Sequence, residues 1–475
     1  MVNIDTLRKV AQPLGDSVSI EAGPKISIRN AAALRQRIEG LARQAALAAE
    51  PERSLSQWLV RAVAVAAGAL PASIHSLYVA RGSGKTRKDF TVPAMNLRAL
   101  PFHAAKAVFR AARKSGAQAI LFEIARSEMG YTDQRPAEYT SSVLAAALAE
   151  GYRGPVFIQG DHFQLSAKKY LKGARSEVEA MRALTEEAIA AGFFNIDIDT
   201  STLVDLSQPT ILEQQRLNFS LCAEFTGYIR KLEPQGVTIS VGGEIGEVGG
   251  HNSTEEELRA FMNGYQECLP HLAPGKAGLS KISIQTGTSH GGVVLPDGTI
   301  AKVKVDFDCM KRLSEVASRD YQMAGAVQHG ASTLPEEAFS RFPEARACEV
   351  HLATNFQNMM YDRLPAPVRD EMYSYLAKNH SDERKEGQTD EQFYYTARKR
   401  ALGPFKKQLW DLPAASLAVI EAAWEKQFDL LFQRLNVGGT EKEVTRFVKP
   451  VVVHASLATY LKAAGVDEDV RDLAD

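Results

Sequence analysis

The chain has 475 residues, a formal net charge of −1 and four widely separated cysteines. This length allows one large core with extensions or two to three ordinary domains, and the near-neutral charge excludes a global field that would attract nucleic acid or a membrane surface. The amino-terminal residues do not resemble a secretory signal, and no stretch approaches the ~20 apolar residues that cross a bilayer. Together with the unpaired cysteines, which suit a reducing compartment, these features predict a cytoplasmic globular protein.

Residues 1–85 predict a helical amino-terminal extension. Leu34, Ile38, Leu41 and Ala45 recur at spacings of four and three, as on the apolar face of an amphipathic helix. We expect this segment to serve packing or assembly, because it contains no group of residues that suggests chemistry.

The sequence Arg-Gly-Ser-Gly-Lys-Thr at 81–86 superficially resembles a phosphate-binding loop. That motif requires a glycine five residues before the one that precedes the lysine, and Val79 occupies this position. The preceding residues also favour a helix end over a buried strand. We therefore predict a basic turn here and no nucleotide site.

From Phe90 onward, short apolar runs alternate with amphipathic segments. The runs predict strands at 90–96, 119–124, 156–160, 194–199, 237–242, 282–286, 325–328 and 347–352. Helices are predicted at 102–114, 136–150, 174–191, 210–231, 254–268, 307–319 and 334–342. Eight strands in this alternation favour an α/β fold, a (β/α)8 TIM barrel over residues 86–365. A doubly wound open sheet is the alternative, but no GxGxxG motif follows the first strand. Residues 366–475 are charged and periodic, which predicts a helical carboxy-terminal extension.

Titratable residues are dense at the carboxyl ends of the predicted strands, which in a barrel face one mouth. They are Asn96, Glu123, Asp161, His162, Asp199, Glu244, His290, His329 and His351. His162, His290 and His329 each follow an apolar run with glycine close by. Three imidazoles with an open position are typical of catalytic Zn2+, and Glu244 is either a further ligand or a group that fixes an imidazole tautomer.

A single histidine at a strand end is more often a hydrogen-bonded structural residue than a ligand. Three at corresponding positions, with Asp161 beside one of them, favour a metal site. Gly291 and Gly330 are small residues at which backbone amides could approach an anion, and barrels often bind phosphate at the loops after strands seven and eight.

Six segments in fixed order resemble the class II, zinc-dependent ketose-bisphosphate aldolases, typified by fructose-bisphosphate aldolase. They are Val-Pro-Ala-Met-Asn at 92–96, Gly-Asp-His at 160–162, Ile-Asp-Thr-Ser at 198–201, Gly-Glu-Ile-Gly at 243–246, Gly-Thr-Ser-His-Gly at 287–291 and His-Gly-Ala-Ser at 329–332. The resemblance spans roughly residues 90 to 360 of the numbered sequence.

The resemblance implies Zn2+ held by His162, His290 and His329, with Glu244 nearby. It implies that Asp161 transfers the proton at the bond that is broken. Substrate phosphate would bind at Gly291, Gly330 and Ser332, and substrate hydroxyls at Asn96, with Asp199 also in the substrate site. A monovalent cation near the phosphate and a homodimer or larger homo-oligomer are further expectations. No lysine suggests a Schiff base, because Lys281 precedes its strand.

The sequence departs from the family pattern at several positions. His251 and Asn252 stand where an acidic pair is usual, so Glu247 is the candidate for its catalytic proton transfer. His351 and Asn355 replace a usual Asn-x-Asp-Thr contact and are expected to bind substrate, and Glu123 stands where a small hydroxyl residue is usual. Arg126, Arg398 or Arg400 could compensate by reaching a phosphate, and Arg398 is the chosen candidate.

These observations predict a zinc-dependent aldolase that reversibly cleaves a ketose bisphosphate, with fructose 1,6-bisphosphate giving dihydroxyacetone phosphate and glyceraldehyde 3-phosphate. One alternative is the same chemistry on another ketose phosphate or a sugar acid. Another is a non-catalytic barrel that stabilises an aldolase partner, although a scaffold has no reason to keep three imidazoles. The expected partner is a phosphorylated sugar, without nucleic acid or membrane.

Overall fold

The computed structural model of the chain describes residues 4–21, 25–246, 251–287, 295 and 304–462. Its first elements are helices with short strands between them. In order, they are α1 (Ile4–Val10), β1 (Val18–Glu21), β2 (Lys25–Ile28), α2 (Ala31–Leu47), α3 (Glu52–Ala67), β3 (Ala69–Ala72) and α4 (His75–Gly82). β1 and β2 pair as an antiparallel ribbon. The amino-terminal segment therefore contains three strands that its helical pattern does not predict.

Eight parallel strands close into a barrel, which confirms the predicted (β/α)8 fold. They are β4 (Val92–Asn96), β5 (Leu121–Ala125), β6 (Gly154–Gln164), β7 (Asn195–Asp199), β8 (Ser240–Glu244), β9 (Lys281–Ile284), β10 (Ala326–Gln328) and β11 (Glu349–Leu352). Each strand pairs with its neighbour in sequence, and β11 returns to pair with β4. The strands are buried on both faces, which explains why they appear as continuous apolar runs.

Helices alternate with the barrel strands, and further helices follow β11. The first set comprises α5 (Pro101–Ser115), α6 (Arg126–Tyr131), α7 (Pro136–Ala149), α8 (Ala167–Ala191), α9 (Ile211–Gln214), α10 (Arg216–Leu232), α11 (Glu255–Leu272), α12 (Phe307–Tyr321) and α13 (Arg341–Glu344). The second set comprises α14 (Thr354–Tyr361), α15 (Ala366–Asn379), α16 (Asp390–Ala397), α17 (Lys406–Trp410), α18 (Ala414–Arg434), α19 (Glu441–Phe447) and α20 (Leu457–Lys462). Among the described helices, none combines the length and the apolar character needed to cross a membrane. All four cysteines are free thiols, as predicted.

The strand β3 is an additional edge strand beside the barrel strand β6. It runs parallel to the first half of β6, with Ala69 opposite Gly154 and Ala72 opposite Phe157, and β7 pairs with β6 only from Gln159 onward. A proline that follows a helical stretch usually marks the end of the helix. Pro71 instead lies inside β3, where it is tolerated because an edge strand leaves one side of its backbone without a partner strand.

Arg81, the first residue of the segment that resembles a phosphate-binding loop, has a structural role. It lies near the end of α4, so the predicted helix end is confirmed. Its buried guanidinium donates hydrogen bonds to the carbonyl oxygens of Phe90 (2.6 Å), Ala324 (3.0 Å) and Ala347 (3.1 Å). The arginine therefore ties α4 to the starts of three barrel strands.

The carboxy-terminal helix α18 is held on α5 by a partly buried group of charges. The carboxylate of Glu421 lies 2.7 Å from Nδ1 of His103, 3.0 Å from Nζ of Lys106 and 2.9 Å from Nη2 of Arg110. Burial alone would raise the pKa of Glu421, but hydrogen bonds and charges from His103 and Lys106 outweigh it and lower the pKa to about 2. The ionised form of Glu421 therefore stabilises the folded state more than the protonated form does.

We predict that Glu421→Gln lowers the free energy of unfolding at pH 7 by about 2 kcal/mol. Because the folded-state pKa of about 2 lies below the ordinary value of 4.5, this contribution is complete above pH 4.5 and is lost as the pH falls toward 2. Urea denaturation between pH 3 and pH 7 should therefore show a shallower pH dependence in the variant. Asp411→Asn, which breaks an exposed ion pair with Arg43, is the control and should change stability by about 1 kcal/mol or less. Equal losses in the two variants would contradict the prediction.

Candidate active site

A bulge in β6 brings Asp161 and His162 into the barrel mouth. The strand does not end at Gly160, as the sequence analysis predicts, but continues to Gln164. Its register with β7 shifts between Gly160 and Phe163, and His162 has a φ of 39°. A bulge reverses the alternation of side chains along a strand, and a left-handed φ in a residue other than glycine is strained. Adjacent side chains can therefore both reach the site.

Gly160 is required for this bulge because of a close approach within it. A Cβ atom at this position would lie 2.3 Å from Cε1 of Phe163. The ring of Phe163 is fully buried, so it cannot move aside without disturbing the barrel core. In the Gly-Asp-His motif, the glycine is therefore needed for close packing, whereas the aspartate and the histidine bring titratable groups to the site.

The imidazole of His162 is oriented by two carboxylates. Its Nδ1 atom lies 3.1 Å from Oδ2 of Asp199 and 3.5 Å from Oε2 of Glu244. Asp199 is itself fixed, since it accepts hydrogen bonds from the backbone and hydroxyl of Ser201 and from Gln164. Burial alone would lower the pKa of His162, but Asp161, Asp199 and Glu244 raise it above its ordinary value. Nε2 of His162 remains on the side of Asp161.

His329 follows β10 and faces His162. The centroids of the two rings are 4.3 Å apart, and Nε2 of His329 lies 3.0 Å from the hydroxyl oxygen of Ser283. Asp161, His162 and His329 each offer one potential ligand atom, and these three atoms lie within 4.8 Å of one another. The described residues therefore bring together two of the three predicted zinc ligands and the predicted catalytic carboxylate.

His351 stands between carboxylates on both sides. Its Nδ1 atom lies 3.1 Å from Oδ1 of Asp161 and 3.0 Å from Oε2 of Glu123, and its Nε2 atom lies 2.7 Å from Oε1 of Glu349. Burial alone would lower the pKa of His351, but Glu123 and Asp161 raise it well above the ordinary value. Both ring nitrogens already face carboxylates. The predicted role of His351 in substrate binding would therefore have to involve the carbon atoms of the ring.

Glu123 adjoins Asp161 on the floor of the site. Burial and the Asp161 carboxylate raise the pKa of Glu123 to about 8, and Glu123 accepts a hydrogen bond of 3.0 Å from Gln159. Burial alone would raise the pKa of Asp161, but His162 and His351 lower it well below its ordinary value. Glu123 and Asp161 lie close to each other but differ in their preferred protonation state.

The buried interior is rich in carboxyl groups. Six of them lie on β5, β6, β7, β8 and β11, namely those of Glu123, Asp161, Asp197, Asp199, Glu244 and Glu349. The lysine of β9, Lys281, points into this interior and donates 2.8 Å hydrogen bonds to Asp197 and Gln159. Burial raises the pKa of Glu123, Asp197 and Glu244 above their ordinary values, so the six groups are not all equally ready to ionise. Lys281 and the imidazoles of His162 and His351 oppose the negative charge of those that ionise.

The outer wall of the site is formed by Asn96, Arg98 and Glu128, which line the same cavity as Asp161 and His329. Glu128 accepts a 2.6 Å hydrogen bond from Nε of Arg98 and another from the amide of Asn96. Sequence reasoning identified Asn96 but missed the other two. Arg98 could have been found from its position, because it follows the end of β4 by two residues.

The carboxy-terminal extension reaches this wall. Lys399 and Arg400 lie over the ring of Tyr131, at 5.6 Å and 5.9 Å from its centroid. Burial and the neighbouring charges of Arg98 and Arg400 lower the pKa of Lys399 to about 7. Arg400 also pairs with Glu383 at 3.0 Å, as Arg98 pairs with Glu128 at 2.6 Å.

Gly330 and Ser332 lie where the sequence analysis placed them, on the cavity wall. Gly330 has a φ of 68°, which favours glycine. The hydroxyl oxygen of Ser332 accepts hydrogen bonds from the amides of Ala353 (2.6 Å) and Thr354 (3.2 Å). Because its lone pairs are engaged, the hydroxyl proton is available to donate to a ligand.

Other predicted residues do not line this cavity. Arg398 is buried against the rings of Tyr395 and Tyr361, with its Cζ atom 4.4 Å and 5.2 Å from their centroids, and Asn355 is half-buried outside the lining. Arg126 does not face a phosphate subsite, because its guanidinium is buried and lies 2.7 Å from Glu177.

The candidates Glu247, His290 and Gly291 lie outside the described residues. His251 is exposed and lies 2.7 Å from Glu257 through its Nε2 atom. It therefore faces Glu257 at the surface.

The sequence matches the model of a protein family over residues 85–408, more than half of its length, and that family is described as class II fructose-bisphosphate aldolase. The chain belongs to this family. A search of curated protein sequences found no match.

The chain matches several solved structures at low sequence identity. A probable tagatose 6 phosphate kinase from Sinorhizobium meliloti is 16% identical, with a TM-score of 0.52, and the match covers 78% of this chain and 96% of that one. A fructose-bisphosphate aldolase from Campylobacter jejuni is 18% identical, with a TM-score of 0.44 and coverage of 77% and 94%. The YdjI aldolase from Escherichia coli is 14% identical, with a TM-score of 0.40 and coverage of 73% and 99%.

We predict that Gly160→Ala lowers the free energy of unfolding by about 1–3 kcal/mol, as overpacking of a core does, because the added methyl group would overlap the Phe163 ring. Thermal unfolding measures the loss. Gly278→Ala is the control, since a Cβ atom there has its nearest neighbour at 3.4 Å, an ordinary contact. If both variants were as stable as the wild type, the account of the bulge would be wrong.

Proposed function

We propose that the protein is a zinc-dependent aldolase that reversibly cleaves a ketose bisphosphate. Fructose 1,6-bisphosphate is the proposed substrate, and dihydroxyacetone phosphate and glyceraldehyde 3-phosphate are the products. The observation that carries this proposal is the convergence of Asp161, His162 and His329, with ligand atoms within 4.8 Å of one another, in a chain of the class II aldolase family.

The residues present fit a zinc ion. Imidazole nitrogens are common zinc ligands, and the rings of His162 and His329 lie 4.3 Å apart, with one ligand atom from each within 4.8 Å of the other. Asp199 holds His162 and Ser283 contacts His329, as groups behind metal ligands commonly do. His290 is the proposed third ligand. When bound, zinc would polarise the ketose carbonyl and offset the negative charge that develops as the C3–C4 bond breaks.

Asp161 is the proposed proton acceptor. Cleavage between C3 and C4 requires removal of the proton from the C4 hydroxyl, and a carboxylate within hydrogen-bond reach can take it. Asp161 lines the cavity and is ionised, because His162 and His351 lower its pKa. In the reverse direction it returns the proton to the same oxygen. The second proton transfer, at the donor carbon, stays assigned to Glu247 as a prediction.

Two parts of the mouth support a phosphorylated substrate. Gly330 and the hydroxyl of Ser332 line one side of the cavity. On the other side, the side chains of Arg98, Lys399 and Arg400 gather near Tyr131, where Glu128 and Glu383 pair with the two arginines. A sugar with a phosphate at each end would place its anionic groups at these two positions. A monovalent cation and a homodimer or larger assembly remain predictions.

A second candidate is the same chemistry on another ketose phosphate or on a sugar acid. Glu123 favours it, because a carboxyl group with a pKa raised to about 8 occupies the floor beside Asp161. Such a group can donate a hydrogen bond to a substrate oxygen. A non-catalytic aldolase partner is disfavoured, since a scaffold would not need this concentration of buried titratable groups.

We predict that aldol cleavage of fructose 1,6-bisphosphate is lost when the protein is chelated and restored when zinc is added back. A coupled assay for the triose phosphates measures it. Activity that survives complete removal of the metal would contradict the zinc mechanism. Metal-dependent cleavage of other ketose phosphates, with fructose 1,6-bisphosphate inert, would favour the second candidate.

Asp161→Asn removes the proposed proton acceptor with little change of shape. We expect kcat to fall by about 100-fold or more, within the usual range for general acid–base groups, while the protein still binds one zinc ion. Asp205→Asn is the matched control, because Asp205 is an exposed carboxylate that accepts hydrogen bonds only within its own loop. An Asp161→Asn enzyme with wild-type kcat would remove Asp161 from the mechanism.

Asp199→Asn tests the metal site without measuring activity. Loss of the charge that orients His162 should weaken zinc affinity by about 10–100-fold, as changes behind metal ligands do. Competition with a chromophoric chelator measures the affinity, with Asp205→Asn again as the control. Unchanged affinity in Asp199→Asn would mean that His162 is not held for metal binding.

A further inference from the structure

The buried contacts beneath Asp161 form a continuous chain. Glu349 and His351 are two residues apart on β11, so both side chains point into the barrel. His351 contacts Glu349 through Nε2 at 2.7 Å and Asp161 through Nδ1 at 3.1 Å. One imidazole thus links a carboxylate of the cavity to a carboxylate beneath it.

Glu349 is fixed from its other side. Lys281 donates to its Oε1 atom, and the hydroxyl of Tyr78 donates to its Oε2 atom. Lys281 is held in turn by 2.8 Å hydrogen bonds to Asp197 and Gln159. The Glu349 carboxylate therefore has bonding partners on both oxygens.

The barrel makes room for this arrangement at Gly242. A Cβ atom there would lie 2.3 Å from Oδ1 of Asp197 and 2.9 Å from Cε of Lys281. Glycine is therefore required at this position of β8, because the Lys281 and Asp197 side chains meet there.

Stability alone gives little reason to keep these charges. Barrel interiors are usually filled by branched apolar residues, and taking a lysine and carboxylates out of water is costly even when they pair. Glu349 is fully buried and does not line the cavity that contains Asp161. Its contacts lead to the cavity through His351, which touches Asp161, and through Gln159, which donates hydrogen bonds to Glu349 (2.9 Å) and Glu123 (3.0 Å). The path through His351 is the one that ends at Asp161.

We infer that Lys281 and Glu349 are positioning residues that act through His351 to hold the Asp161 carboxylate toward the substrate. The inference rests on the proposed role of Asp161 as proton acceptor. It assigns a task to Lys281, which is not a Schiff-base candidate in the proposed function, and to His351, whose ring nitrogens both face carboxylates. The His351 imidazole fixes the direction of Asp161, and the pair beneath it fixes the imidazole.

The test is a kinetic comparison of Glu349→Gln, His351→Asn and the double variant, each loaded with zinc. Each single variant should lower kcat by about 10–100-fold with KM changed by less than about three-fold, because positioning affects the reacting geometry more than binding. The double variant should lose no more kcat than His351→Asn alone, since Glu349 acts through His351. Additive losses, or a wild-type kcat in Glu349→Gln, would overturn the inference.

A matched control separates positioning from loss of stability. Glu177, like Glu349, is a buried carboxylate in an ion pair, and it lies 2.7 Å from Arg126. Glu177→Gln should lower the unfolding temperature and leave kcat unchanged. An equal fall of kcat in both variants would assign the effect to general destabilisation and overturn the inference.

Tyr78→Phe is a milder variant for the case in which Glu349→Gln does not fold. It removes one hydrogen bond to Glu349 and keeps the aromatic ring. We expect a reduction of kcat by about three-fold, in the range of a single hydrogen bond, without a change in KM. An unchanged kcat in this variant would count against the inference.

A crystal structure of Glu349→Gln distinguishes failure of the inference from failure of the proposed function. Suppose that the wild type cleaves no sugar phosphate but Asp161 has turned away from His351 in the variant. The proposed function then fails, and the positioning of Asp161 stands. If the wild type is active, Asp161→Asn is inactive and Glu349→Gln keeps both full kcat and the position of Asp161, the inference fails alone.

Discussion

The structure depends on keeping the buried Asp161 carboxylate ionised inside the barrel. A buried carboxylate is costly unless cations and hydrogen-bond donors surround it. His162 and His351 provide that surrounding and lower the pKa of Asp161. They in turn need their own carboxylates, Asp199 and Glu349. This requirement explains why polar side chains extend from the mouth down to Lys281, in a place where barrels commonly pack apolar residues.

The sequence predicted the barrel because its eight strands are short apolar runs between amphipathic helices, and burial on both faces leaves that pattern. It did not predict β3, since Pro71 resembles a terminator and only an edge position tolerates it. It also placed the end of β6 at Gly160. The extra residues belong to a bulge, in which the Phe163 ring packs closely against Gly160. The alternation of apolar and polar residues in the sequence does not reveal such a contact.

The candidate site was predictable where residues follow strand ends and unpredictable where contacts cross the barrel. Asp161, His162 and His329 were identified from their positions after apolar runs. The contact between Asp161 and His351 joins residues 190 positions apart, and it depends on closure of the barrel. The same limit explains Arg398, whose charge suggested a phosphate contact but whose side chain packs on Tyr395, while its neighbours Lys399 and Arg400 approach Tyr131.

Anomalous diffraction at the zinc edge from crystals of the zinc-loaded protein tests the central claim most directly. The account predicts one strong peak within coordinating distance of the imidazoles of His162 and His329, next to Asp161. A peak elsewhere, with these imidazoles unliganded in a fully loaded protein, would contradict the proposal that the mouth of this barrel is a zinc centre.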